Sequence, residues 1–163
     1  MRVLFISMCL LVVSFICPAQ TSCNIKKAYA FYTVSVPGAQ MSDDNGNPIP
    51  PKVDIARFIY IEWGGTVRPQ IKTVLYNNRA LAATLIAVKG RAVVPGSELS
   101  ENNNFKITCK KGNSLWKIEL QPQGDNSMPE QDCKNIIIKT NVNGKTCSFK
   151  LSKETQLMVL PRY

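Results

Sequence analysis

Histidine is absent from all 163 residues. Its absence excludes the Ser-His-Asp and Cys-His arrangements of nucleophilic catalysis, together with zinc sites that need an imidazole ligand. No two cysteines stand at the short spacing of a metal knuckle, so a thiolate zinc site has no framework either. Gly64-Gly65 lacks a following Lys-Ser/Thr and a helix to open, which removes a phosphate-binding loop. Internal repeats and low-complexity tails are missing, as are a recognition-helix pattern and an aromatic-rich RNA motif. The expectation is therefore no catalytic set, no cofactor, no metal and no nucleic-acid partner.

What the chain does have is strand chemistry. The run Phe58 to Trp63 is apolar at nearly every position, so both of its faces must be covered, as in a central strand. Ile71 to Tyr76 follows, then Asn77-Asn78, which suits a two-residue hairpin loop because Asn tolerates positive φ. The alanines and leucines of Ala80–Val88 would also serve a helix, but the hairpin context and the Gly90 stop predict a strand. Lys26 to Val36 reads as a first strand, and Gln156 to Leu160 as a closing one. Between the first two runs, Ala39 to Pro51 carries Asn-Gly and repeated prolines, the composition of a long surface loop. Asp43, Asn45, Asn47 and Asp54 match calcium-loop offsets there, yet Pro48 occupies the position that demands Gly.

Two hairpins are predicted in the second half. With Gly112-Asn113 as a loop, Phe105 faces Leu120, Ile107 faces Ile118 and Cys109 faces Trp116. With Asn143-Gly144 as another, Ile136 meets Leu151, Ile138 meets Phe149 and Thr140 meets Cys147. A shift of one residue would break both apolar alternations. The count reaches eight or nine strands, and a single all-β domain is predicted: an antiparallel β-sandwich or a small barrel.

Residues 1–19 resemble a cleaved secretory signal: Arg2, an apolar stretch from Val3 to Cys17, and Ala19 at the exit. Cleavage after Ala19 predicts a periplasmic or secreted domain over residues 20–163, with no transmembrane helix left. Cys17 follows Ile16, and Cys23 follows Gln20-Thr21-Ser22, neither a small-residue lipidation site. Four cysteines remain in that domain, Cys23, Cys109, Cys133 and Cys147, and an oxidising compartment predicts two disulfides among them. Cys109–Cys147 and Cys109–Cys133 both suit the strand faces, and spacing alone does not choose.

A net charge of +9, one unit less once Arg2 leaves, favours anionic partners such as an envelope component, an acidic glycan or another protein. The basic residues are dispersed, with only Lys26-Lys27 and Lys110-Lys111 adjacent, as on an ordinary soluble surface. Trp63, at a strand end beside two glycines and close to Arg68, is the candidate for an exposed aromatic contact, whereas Trp116 shares the apolar phase of Ile118 and Leu120. Lys110 and Lys111 at a turn are candidates for an anion. Glu62 and Glu119, the acids set inside strands, read as solvated. The leader ending in Ala-Gln and the phrases Lys-Gly-Asn-Ser-Leu-Trp-Lys-Ile-Glu-Leu and Asn-Gly-Lys resemble small exported β-rich proteins of Bacteroidota-type bacteria. That resemblance carries over no functional residue. Three functions follow as expectations: a non-catalytic binding or envelope-accessory module, a carboxylate-dependent hydrolase of cell wall or polysaccharide, and an inhibitor presenting the 39–51 loop.

Overall fold

The computed structural model describes residues 23–35, 42–49, 54–97, 104–123 and 133–158. The expected leader and its cleavage site, the ends of the 39–51 loop and Val159-Leu160 lie outside them. Ten strands form and no helix is present among the described residues. In chain order they are β1 (Ile25–Ser35), β2 (Asp54–Trp63), β3 (Gln70–Tyr76), β4 (Arg79–Ala87), β5 (Ala92–Ser97), β6 (Asn104–Thr108), β7 (Ser114–Gln121), β8 (Ile136–Val142), β9 (Lys145–Leu151) and β10 (Thr155–Leu157).

Eight of them make one sheet in the order β10-β1-β2-β7-β4-β3-β8-β9, and β5 and β6 make a second, two-stranded one. The large sheet curls so that β9 comes back alongside β1, giving a half-barrel instead of a flat sandwich. The pairing is antiparallel except for β1 with β10, which runs parallel. β10 reaches β1 because Ser152–Glu154 carries the chain across from β9 at the far edge.

Period-two alternation explains the two cores. Ile59, Ile61 and Trp63 of β2 point inward with Ile118 and Leu120 of β7, Val74 and Tyr76 of β3, and Ile136 and Ile138 of β8. Phe31, Tyr60 and Leu115 point outward and are covered by Ile107 and Cys109 at the end of β6. β2 is central, between β1 and β7, and its last five residues are all buried. The Asn77-Asn78 hairpin forms with Tyr76 opposite Arg79, and both asparagines have positive φ (45° and 68°). Ala80–Ala87 is strand, paired with β3 and β7.

The two hairpins of the second half part company. At Asn143-Gly144, Ile136 pairs with Leu151, Ile138 with Phe149 and Thr140 with Cys147, as expected. At Gly112-Asn113 the expected hairpin does not exist. The chain does turn there, with the Asn113 amide donating to the Lys110 carbonyl at 3.1 Å. The turn, however, joins two layers: β6 pairs with β5, while β7 is claimed on both edges by β2 and β4. Ile107 therefore lies in the outer core and Ile118 in the inner one, and they do not face each other.

The cysteine expectation also needs correction. Among the described residues one disulfide joins Cys23 to Cys147, with Cα atoms 5.6 Å apart, and Cys109 and Cys133 are free buried thiols. Cys109 belongs to the outer core and Cys133 to the inner one, so the sheet stands between them. Closing a loop of 124 residues, the bridge contributes roughly 2–4 kcal/mol. It ties the residues just before β1 to β9, the two sides of the open seam. A disulfide of this kind points to a compartment outside the reducing cytoplasm.

Candidate functional site

The half-barrel has two ends, and β2 runs from one to the other. At its C-terminal end Trp63 closes the inner core, and the loop 64–69 folds back over it. The indole N–H of Trp63 donates to the Val67 carbonyl at 2.8 Å, and the Gly64 amide donates to the Asn24 carbonyl at 2.8 Å. Gly65 is required by the close approach: a Cβ there would sit 2.6 Å from Trp63 Nε1 and 2.9 Å from Asn24 Nδ2. Across from this loop stands the β8–β9 turn, where Asn143 and Gly144 both take positive φ (51° and 77°). Loop and turn enclose a cleft of about 510 Å³. Its lining is rich in amides, from Asn24, Gln70, Asn141 and Asn143, includes Arg68 and contains no acidic side chain among the described residues.

Arg68 is exposed, with its guanidinium carbon 5.8 Å from the centre of the Trp116 ring and Nη2 donating to the Leu85 carbonyl at 3.3 Å. Trp116 itself is half-buried against the inner core, its indole N–H held by Ser114 Oγ at 2.8 Å. A guanidinium over an indole ring presents a planar fork of donors to a carboxylate. Trp63 corrects an expectation: it is not exposed but 3% accessible, forming the floor of the cleft instead of a free platform. So the structure brings Trp63 and Arg68 together in one cleft. Lys110 and Lys111 do not line it; both are exposed on the turn between β6 and β7.

Glu62 also departs from expectation, being 2% accessible instead of solvated. Its Oε1 accepts from the Lys110 amide at 3.0 Å and from Asn113 Nδ2. Burial pushes its carboxyl up, but those two hydrogen bonds, with the ammonium groups of Lys27 and Lys110, outweigh burial and hold it below its ordinary value. It anchors the turn that joins the two layers. Glu119, exposed enough to meet water, pairs with Lys117 at 2.7 Å. Because Glu119 stands opposite Phe58, four residues from Glu62 along β2, the two carboxylates are about 13 Å apart at the usual strand rise. A glycosidase pair works at roughly 5–10 Å.

The other end of the half-barrel is closed by charge. Arg57 and Glu154 are both fully buried, with Nε to Oε2 at 3.1 Å and Nη2 to Oε1 at 3.2 Å. Glu154 also accepts from the Cys133 amide at 3.0 Å. Tyr32 and Tyr76 flank the guanidinium, their ring centres 5.5 and 5.7 Å from its carbon. Tyr32 in turn donates to Gln156 of β10 at 3.1 Å. Burial pushes the Tyr76 phenol far up, and it pushes the Cys133 thiol up as well. A buried thiol held protonated is no nucleophile. A sequence signal for this cluster existed: Arg57 shares its phase with Ile59, Ile61 and Trp63, the inward-facing set.

The fold and the site define the class: a disulfide-bearing all-β half-barrel with a polar, basic cleft at one mouth and a sealed opposite end. Beyond the class the comparisons are silent, since no protein-family model, characterised protein or solved structure matches this chain.

Proposed function

We propose that this protein is an exported, non-catalytic binding domain that takes an acidic carbohydrate in the cleft between the 64–69 loop and the β8–β9 turn. The observation that carries the reading is the lining itself. Amide side chains from four positions accompany one exposed guanidinium lying over an indole ring, with no carboxylate among the described lining residues to repel an anionic ligand. Amides donate and accept at once, which suits vicinal hydroxyls, and a guanidinium fork suits a uronate carboxylate. Barrel mouths are a common place for such sites, and the volume falls within the usual ligand range. The export signal expected for residues 1–19 and the resemblance to exported β-rich proteins support the same reading. So does the Cys23–Cys147 bridge, which persists in an oxidising compartment.

Nuclear magnetic resonance titration with uronic-acid oligosaccharides, and with neutral ones of equal length, tests it. The acidic series should shift the Gly64 and Gly65 amides and the Trp63 and Trp116 indoles, and rising salt should weaken the effect. Arg68→Ala should abolish the acidic preference. If the mouth resonances ignore every acidic oligosaccharide, the reading fails.

One observation favours a second reading, an inhibitor. The described part of the 39–51 loop is exposed throughout and pre-shaped: Ser42 bridges to Pro48, and Asp43 Oδ1 accepts from the Asn45 and Asn47 amides at 2.9 and 2.8 Å. Loss of shape through Asp43→Ala should then relieve inhibition in a screen of polysaccharide hydrolases and proteases.

A further inference from the structure

Among the described residues the curled sheet does not close. β10 covers the outer edge of β1 only from Phe31 to Thr33, and β9 pairs only with β8 among the described residues. Along Ala28–Ala30 the edge of β1 therefore faces the seam with no strand partner among the described residues. A second cleft of about 440 Å³ lies there, distinct from the mouth and sharing none of its lining residues.

The walls of this cleft differ in kind from those of the mouth. One is aromatic: Tyr29, Phe31 and Phe105 form a cluster in which Phe105 meets the other two edge to face, at 5.8 and 5.1 Å between ring centres. Ala28, Ala30 and Leu151 also line it, but from the inner-core side, on the other face of the sheet from Tyr29 and Phe31. The polar side is the link from β9 to β10, with Ser152, Thr155 and the exposed Lys153. Glu154, the acid nearest in sequence, is turned inward and paired with Arg57, leaving no carboxylate among the described lining residues to neutralise Lys153. An apolar pocket with a few convergent polar groups is the ordinary form of a small-molecule site.

We propose that the seam binds a small amphiphilic anion, an apolar body carrying one carboxylate or phosphate. The body lies against Tyr29, Phe31 and Phe105, and the head lies at Lys153. An edge strand left open would otherwise invite pairing with another chain. The lysine at this edge discourages that and, in the same position, recognises the head group. The inference stands independently of the carbohydrate reading, since the two clefts share no residue.

Isothermal titration calorimetry of the full chain with decanoate, decyl phosphate, decanol, dodecyltrimethylammonium and acetate separates the contributions. Decanoate and decyl phosphate should both bind with a negative heat-capacity change, the mark of apolar burial, and their ratio tells which head is preferred. Acetate and the cationic amphiphile should not bind. Lys153→Glu, at an exposed position that folding does not need, should weaken the anions about tenfold or more while sparing decanol, as for the loss of a charge-assisted bond. Tyr29→Ala, which removes a half-buried ring of the aromatic wall, should weaken every amphiphile while leaving the uronate response at the mouth intact. Equal affinity for the cationic and anionic amphiphiles, or binding unaffected by both substitutions, would overturn the proposal. So would protection of the Ala28–Ala30 amides from hydrogen exchange by an extended peptide when none of the amphiphiles binds.

Discussion

Arg57 and Arg68 are the same side chain at opposite ends of one half-barrel, and nearly everything about them differs. Arg57 is 2% accessible, locked to Glu154 by paired hydrogen bonds and held between two tyrosine rings. Arg68 is exposed, lies over one indole and donates to the Leu85 backbone carbonyl. A buried charge is tolerated only when its partner is buried with it, so Arg57 serves the architecture and welds β10 and the 152–154 link to the inner core. An exposed charge over an aromatic ring keeps its donors directed outward, where a ligand can meet them. The difference teaches that the closed end of the half-barrel specifies the fold and the open end is free to specify function.

The sharpest way to break the comparison is to truncate each arginine. Arg57→Ala leaves Glu154 buried without its counter-charge and should cost about 3–5 kcal/mol, read from urea denaturation. The joint replacement Arg57→Met with Glu154→Leu should cost distinctly less than Arg57→Ala, because no unpaired charge remains. Removing the bridge by Cys23→Ser with Cys147→Ser should come next, at about 2–4 kcal/mol. In the intact protein a non-reducing peptide map should find Cys23 joined to Cys147, with Cys109 and Cys133 alkylated only after unfolding.

Glu62→Gln weakens the charge-assisted bonds that hold the interlayer turn and should cost about 1.5–3 kcal/mol at neutral pH. The sign with pH follows from the lowered pKa of the folded carboxyl. Its contribution is complete above the unfolded value of about 4.3 and is lost as pH falls through the folded value. A pH series of denaturation midpoints should show that acid-side loss in the native chain and a smaller one in the variant. Arg68→Ala should have the smallest effect on stability, within about 0.5 kcal/mol, while eliminating selective uronate binding. If Arg68→Ala proved as destabilising as Arg57→Ala, the division between a structural end and a binding end would collapse.

The two turns of the second half show what was legible. Asn143-Gly144 and Gly112-Asn113 each offer one Asn and one Gly to a two-residue loop, between flanks with equally regular alternation. One makes a hairpin with the expected register, and the other joins two layers. Alternation reports which face of a strand is apolar, but not which neighbour covers it. β7 found better edges in β2 and β4 than in β6, and nothing between residues 105 and 120 encodes that competition. Glu62 illustrates the same limit: its phase placed it opposite Ile61 and Trp63, as the sequence suggests, yet that face is covered by the second layer instead of water. Arg57 was readable from its phase with Ile59 and Ile61, whereas its partner Glu154 lies 97 residues away.

Read alone, the chain determined its strand class, the central position of Phe58–Trp63, the Asn77-Asn78 and Asn143-Gly144 turns and the chemistry ruled out by the missing histidine. Those properties are local, set by side-chain shape, positive-φ tolerance and period-two burial. Only the tertiary structure decided the edge partners of β6 and β7, the Cys23–Cys147 pairing, the burial of Glu62 and Trp63, and the placing of one arginine in each environment. Such choices depend on contacts between distant segments, and lengthening a loop changes its closure entropy so little that competing long-range pairings stay close in cost until packing separates them.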